Sequence, residues 1–192
     1  MKIKWGQTPF NLLRHPRTGW EAVAASRCSI TALFAKFIFP GSLLSALAVT
    51  LGVALFNREW SADFGYDAPP GKAFTIGLAT LLLSIFYTFV LAWVFARMGA
   101  MYRSCRDFGP ALTLATFGSL PVWFAGVFMF FMPATLLGML GFVYTCLLYS
   151  NGAATLLGVK ENETPEFVAV SLLLATLIMT GAGMGIGALE LL

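Results

Sequence analysis

Long apolar stretches, separated by short polar segments, make up most of this chain. Five of them are long enough to cross a hydrocarbon layer of about 30 Å as α-helices, which rise about 1.5 Å per residue. They cover residues 30–56, 74–96, 111–131, 134–159 and 167–189. The pattern predicts an all-α fold: a polytopic membrane protein built as a bundle of five transmembrane helices.

The third and fourth apolar stretches run almost directly into each other. An apolar run from residue 111 to residue 149 is too long for a single crossing of the bilayer. Met132-Pro133 lies inside it, and proline disrupts the interior of a helix. We therefore expect a tight hairpin of two helices that turns at Pro133.

Residues 1–29 precede the first span and show a mixed pattern. Apolar side chains, among them Leu12, Trp20 and Val23, recur at helical spacing against basic ones. This predicts a short amphipathic helix in the membrane interface, with Trp20 at headgroup depth and its basic face toward anionic headgroups. An ordinary basic flank that only fixes the topology is the alternative. The candidate headgroup contacts are Arg14, Arg17, Trp20 and Arg27.

The chain therefore divides into a basic, amphipathic arm over residues 1–29 and a five-span membrane domain over residues 30–192. Composition agrees with a lipid environment, since 58% of the residues are hydrophobic and 11% are charged. A soluble domain carries roughly 25% charged residues. Lysines and arginines concentrate in the arm and in the loops after spans two and four. The positive-inside rule then places the N-terminus in the cytoplasm and the C-terminus outside.

Residues suited to catalysis or metal binding are sparse. His15 is the only histidine, and it has no serine or carboxylate at a motif spacing. Cys28, Cys105 and Cys146 form no CxxC pair and have no companion histidine. No phosphate-binding glycine loop precedes a lysine. We expect neither enzymatic activity nor a cofactor or metal, and no nucleic-acid partner.

Two prolines interrupt spans one and three at similar depth. A proline removes the hydrogen bond to the carbonyl four residues earlier, so Pro40 frees the carbonyl of Lys36 and Pro121 frees that of Phe117. A freed carbonyl inside a membrane must find another donor. One hypothesis is a small polar pocket between the two kinked spans; the alternative is a pair of packing kinks, with the Lys36 side chain extending back to the headgroups. The candidate pocket residues are Lys36, Pro40, Ser42, Phe117, Ser119 and Pro121.

The last span ends in a glycine-rich segment. Small residues four positions apart allow two membrane helices to approach closely. This helix face could pack within the chain or against a second subunit. The candidate packing residues are Gly181, Gly183, Gly185 and Gly187.

Several local motifs resemble the Yip family of integral membrane proteins, especially its small bacterial inner-membrane (YohC-like) branch. The arm carries Leu13-x-x-Pro16-x-x-x-Trp20-x-x-Val23, and span one carries Phe39-Pro40. Span three carries Phe117-Gly118-Ser119-Leu120-Pro121, where family members more often have tyrosine as the aromatic residue. Residues 141–163, GFVYTCLLYSNGAATLLGVKENE, resemble the fourth span and its exit. Nearly the whole chain is covered.

The resemblance implies a fold and a location, the bacterial inner membrane, but no settled activity. Its eukaryotic members are associated with Rab GTPases and carry a longer cytosolic N-terminal region. That region has no counterpart in these residues, so we do not expect binding of a Rab-type GTPase.

Two functions follow as expectations. The first is a non-enzymatic inner-membrane protein that organises membrane or protein partners. Its partners would be the bilayer, anionic headgroups, and a second copy or another membrane protein. The second is a small transporter or channel that uses the pocket between the kinked spans.

Overall fold

A computed structural model describes the backbone of residues 8–26, 28–64, 73–128 and 135–189, and the side chains of residues 10–26, 28–54, 73–127 and 139–182. These parts of the chain are helical and contain no strand. The helices are α1 (Thr8–Arg14), α2 (Pro16–Ala25), α3 (Ile30–Leu33), α4 (Phe39–Phe64), α5 (Ala73–Met98), α6 (Phe108–Gly118), α7 (Leu120–Phe128), α8 (Thr135–Gly152) and α9 (Thr164–Leu189), with π-helical turns at Phe34–Ile38 and Ala153–Leu157.

Five helical stretches are long and apolar enough to cross a membrane, which confirms the predicted fold class. We call them spans one to five; they cover Ile30–Ala54, Ala73–Met98, Phe108–Val127, Met139–Leu157 and Thr164–Ala182. Helices α1 and α2 precede them and form the arm, where the sequence predicts a short amphipathic helix. The turn predicted at Pro133 lies outside the described residues.

Capping residues set the ends of the spans. Span one begins at Ile30 because the Ser29 side chain accepts a hydrogen bond from the Ala32 backbone N–H at 3.2 Å. Span four ends at Leu157 because Gly158, which follows it, adopts the left-handed conformation with φ of 73°. Span five begins at Thr164, three residues before the predicted start. Proline is well tolerated in the first turn of a helix, so Pro165 does not delay it.

Both proline sites show an interrupted helix. In span one the π-helical turn ends two residues before Pro40, and the Phe39 backbone N–H donates to the carbonyl of Phe34. In span three α6 stops at Gly118 and α7 begins at Leu120, so Ser119 separates two helices. Pro40 and Pro121 thus each lie within two residues of an interruption.

Contacts divide the chain into two compact units. We call the first the arm unit; it comprises residues 1–27, 87–115 and 149–192. We call the second the kink unit; it comprises residues 28–86 and 116–148. The arm thus shares a unit with the C-terminal part of span two, the start of span three, the end of span four and span five.

An aromatic core holds the arm unit together. The Phe95 ring lies 5.4 Å from the Tyr149 ring and 5.6 Å from the Phe167 ring, centroid to centroid. Tyr102 meets Phe167 edge-on at 5.3 Å. The Tyr149 hydroxyl donates to the carbonyl of Ala115 at 3.3 Å. Such aromatic pairs contribute about 0.5–1.5 kcal/mol each beyond the area that they bury.

The kink unit is packed differently, by close approach of helices. Gly41 lies directly against the Trp123 ring, where even a single added methyl group would collide. One turn earlier along span one, the Phe37 ring lies 4.8 Å from the Phe117 ring. The Ser84 hydroxyl donates to the Ser42 hydroxyl at 3.0 Å, which joins spans two and one. Small residues and hydroxyl pairs of this kind are typical of helices packed in a membrane.

Candidate functional site

The arm folds back on itself and is anchored by one aromatic side chain. Helices α1 and α2 contact each other, and Leu12 packs so closely on Gly19 that a side chain there would lie 2.7 Å from the Leu12 Cα. Trp20 on α2 is fully buried, and Val23 one turn later is also buried. Both apolar residues therefore face protein.

Trp20 lies against the end of span four. Its indole ring contacts Gly152, where a Cβ atom would come within 2.7 Å of two ring carbons. Leu114 of span three closes the other side of the same glycine. This corrects the expectation that Trp20 contacts headgroups, because a ring with 0% exposure has no surface left for lipid. Tryptophan at helical spacing in an amphipathic arm can face either lipid or protein, and here it faces protein.

Span four ends in a π-helical turn over Ala153–Leu157, which α2 contacts. The Cys105 backbone N–H donates to the Leu157 carbonyl at 2.8 Å and ties the loop after span two to this turn. The Thr155 hydroxyl donates to the Asn151 carbonyl at 3.0 Å. π-helical turns are uncommon and frequently occur at functional sites.

A polar cleft of about 410 Å³ opens between α2, the end of span four and the start of span five. Its volume falls within the range of roughly 300–1,000 Å³ that is common for small-ligand sites. We call it the arm cleft. Seven of its eight lining residues have polar or charged side chains; the eight are Arg17, Glu21, Ser150, Asn151, Ala154, Thr155, Glu161 and Thr164.

The arm cleft carries one guanidinium and two carboxylates. Arg17 and Glu21 lie one helical turn apart on α2, and Glu161 comes from the loop before span five. All three are exposed. Within the described parts of the chain the ion pair present is Lys160–Glu163, at 3.2 Å, and neither of its members lines the cleft. The three cleft charges are thus available to a ligand.

Of the other headgroup candidates, Arg17 lines this cleft, Arg14 does not, and Arg27 is beyond the described residues. Arg14, the last residue of α1, is exposed, as is Arg17. Arg27 lies outside the part of the chain that the structure describes. Trp20 is buried, whereas Arg14 and Arg17 are exposed and can face water or headgroups.

The candidate pocket residues fall in the kink unit. Ser42, Phe117, Ser119 and Pro121 are buried, whereas Lys36 and Pro40 occupy exposed positions of span one. The hydroxyl of Ser42 finds its partner, Ser84, on span two rather than on span three. The face where spans one and three meet is filled by the Phe37–Phe117 ring pair. A polar pocket at this place stays a prediction.

The glycine face of span five is described only at its start. Gly181 is exposed, and a Cβ atom added there would meet nothing within 4 Å. The surroundings of Gly183, Gly185 and Gly187 lie outside the described side chains.

The arm cleft was not predicted from the sequence. One signal was present: Asn151 and Gly152 stand together inside an otherwise apolar span. A polar residue there costs free energy unless it is paired or faces a polar space. That signal indicates a polar site near the end of span four, but it does not identify α2 as the opposite wall.

Comparison with known proteins found one match, to a family model. No curated protein and no solved structure matched the chain. The family model of the Yip1 domain matches residues 10–183, which include the arm from Phe10 onward and all five spans. The resemblance to the Yip family is thereby confirmed at the level of the family, without its bacterial branch, and the chain belongs to the Yip family.

Proposed function

We propose that this Yip-family membrane protein is non-enzymatic and organises membrane or protein partners at the cytoplasmic face of a bacterial inner membrane. The observation that carries the proposal is the arm: Trp20 is fully buried against span four, while Arg14 and Arg17 stay exposed. The arm is thus fixed in one orientation and presents charged side chains outward. A surface that is ordered in advance binds partners at a lower entropic cost.

Charge supports the cytoplasmic assignment. Besides the arm, Arg97 lies in the last turn of span two, and Arg103 and Arg106 lie in the loop that follows it. Basic residues close to an anionic leaflet are worth about 1 kcal/mol each. The arm and this loop belong to the same compact unit, and the positive-inside rule favours the cytoplasmic side for both.

In vivo photo-cross-linking tests the proposal. A photoreactive residue replaces Thr18, which is exposed on the arm, and Leu82, which is exposed on span two, serves as the matched control. We expect discrete protein adducts from position 18 and none from position 82. Absence of adducts from position 18, or the same adducts from both positions, would contradict partner binding by the arm.

A small transporter or channel is the second candidate. It is favoured by the helix breaks of spans one and three and by the half-buried Ser42–Ser84 hydroxyl pair, because broken helices commonly line solute paths in membranes. Ion and solute flux into liposomes distinguishes the two functions. Flux that disappears in the Phe117→Ala, Pro121→Ala variant would contradict the organiser. Absence of flux in the unmodified protein for all solutes tested would remove the transporter.

A further inference from the structure

The charges in the arm cleft do not match a simple anionic headgroup. Two carboxylates, Glu21 and Glu161, face the same space as one guanidinium, Arg17. An anion would be attracted by the guanidinium and repelled by both carboxylates. A ligand that carries both a positive and a negative group satisfies all three side chains.

The position of the cleft at the ends of two spans points to the depth of lipid headgroups. Its lining includes residues of the last turns of span four, which ends at Leu157, and Thr164, where span five begins. The ends of transmembrane spans lie at the boundary between hydrocarbon and headgroups. On the far side of the cleft, α2 supplies Arg17 and Glu21. A lipid could therefore place its headgroup in the cleft and leave its chains in the bilayer.

Hydrogen-bonding capacity narrows the chemistry of the positive group. A primary ammonium has three N–H donors, and ionised carboxylates are pure acceptors with several lone pairs. A quaternary ammonium, as in choline, has no N–H to donate and is usually bound by aromatic rings. None of the eight residues that line the arm cleft is aromatic. A primary amine is thus the better match.

We propose that the arm cleft binds the phosphoethanolamine headgroup of a phospholipid, with the ammonium held by Glu21 and Glu161 and the phosphodiester by Arg17. The proposal rests on the proposed function and deepens it by naming the lipid that the arm recognises. Arg14 lies outside the cleft lining and stays available to anionic lipids.

Native mass spectrometry of lipids bound to the full chain tests this assignment. The protein is purified in mild detergent and exchanged into nanodiscs of equal parts phosphatidylethanolamine, phosphatidylcholine and phosphatidylglycerol. We expect phosphatidylethanolamine to be retained roughly fivefold over each of the others, the ratio that one exposed charge pair provides. Equal retention, or preference for phosphatidylglycerol, would overturn the proposal.

Glutamate variants distinguish lipid binding in the arm cleft from a general effect of surface charge. Glu21→Gln, Glu161→Gln removes both carboxylates of the cleft and should abolish the preference. Glu163→Gln, Glu166→Gln removes the same charge from residues that do not line the cleft and should keep it. Circular dichroism and gel filtration verify that both variants are folded. An unchanged preference in the first variant would overturn the assignment of the carboxylates.

Two further comparisons determine whether the ligand is a lipid, and whether a negative result contradicts this inference or the proposed function. Soluble phosphoethanolamine should displace the bound lipid only in large excess, because it lacks the acyl chains that hold the lipid beside the cleft; displacement at a concentration equal to that of the lipid would overturn the assignment to a lipid. Loss of the lipid preference together with intact cross-linking from position 18 would contradict this inference alone. Intact lipid preference without cross-linking would contradict the proposed function alone.

Discussion

The arm unit and the kink unit solve the same problem, the packing of membrane helices, in two ways. The arm unit buries large aromatic rings, among them Trp20, Phe95 and Phe167, and leaves a polar cleft at one end. The kink unit brings backbones together at small residues such as Gly41 and pairs the hydroxyls of Ser42 and Ser84. Ring packing can fix a peripheral helix onto the membrane domain, whereas close backbone contact joins spans to one another. We therefore expect the arm unit to present the charged surface and the kink unit to hold spans together.

The largest effect is expected at Trp20. Trp20→Ala removes a fully buried ring, and such losses cost about 3–5 kcal/mol in protein cores. We expect the arm to detach while the five spans stay assembled. Limited trypsin digestion should then cleave after Arg14 and Arg17 at least tenfold faster. Trp20→Phe, which keeps an aromatic ring, should stay close to the unmodified rate; equal cleavage in both variants would show that the ring does not anchor the arm.

A matched set of glycines sharpens the comparison between the units. Gly152→Ala places a methyl group against Trp20 and Leu114, and Gly41→Ala places one against Trp123. Overpacking of this kind costs about 1–3 kcal/mol. We expect Gly152→Ala to increase trypsin cleavage in the arm, and Gly41→Ala to lower the melting temperature without exposing the arm.

Gly181→Ala is the control for both glycine variants, because an added methyl group there meets nothing within 4 Å. Alanine is a better helix former than glycine by about 1 kcal/mol. Gly181→Ala should therefore leave the melting temperature unchanged or raise it slightly. A destabilisation as large as that of Gly41→Ala would show that substitution of glycine in any span is harmful, and the contrast between the units would be lost.

A smaller effect is expected for the hydroxyl pair of the kink unit. Ser84 donates to Ser42, which is fully buried. Hydrogen bonds between membrane helices average about 0.6 kcal/mol in double-mutant cycles. A cycle with Ser42→Ala, Ser84→Ala and the double variant should give a coupling of that size by reversible unfolding in detergent. Coupling near zero would indicate that close packing alone joins spans one and two.

The smallest effect is expected for the Lys160–Glu163 ion pair. Lys160 is 70% exposed and Glu163 is 31% exposed, so water and salt screen their attraction. Exposed pairs of this type contribute about 0–1 kcal/mol. Glu163→Gln should change the melting temperature by no more than about one degree. A large loss would assign a structural role to this loop, and Glu163→Gln would then be unsuitable as a control for the arm cleft.

Local properties of the sequence were sufficient to predict the five spans and the helix breaks near Pro40 and Pro121. Hydropathy predicts five spans because each must be apolar over its whole length, and Pro121 disrupts its helix wherever its neighbours lie. The apolar pattern predicts the start of span five three residues late, because Thr164 is polar and Pro165 is a helix breaker. Both are nevertheless favourable in a first helical turn.

Tertiary contacts account for what sequence reasoning missed. The spacing of Trp20 and Val23 defines an apolar face of α2 but does not say whether lipid or protein covers it. In the sequence, nothing distinguishes Gly152 from other glycines of the spans. The structure shows that the indole ring of Trp20 packs against it. The arm cleft depends on the same contact, because Arg17 and Glu21 line the same space as Asn151 and Glu161 only when α2 is docked.

The most direct test of the arm as the partner-binding face is photo-cross-linking from position 18 in two backgrounds, Trp20→Ala and Trp20→Phe. Both proteins carry the same charges and the same probe, and they differ in whether the arm is anchored. We predict that the adducts persist with phenylalanine and fall at least tenfold with alanine, at equal protein levels in the membrane. Equal adduct yields in the two backgrounds would contradict a function that depends on the docked arm.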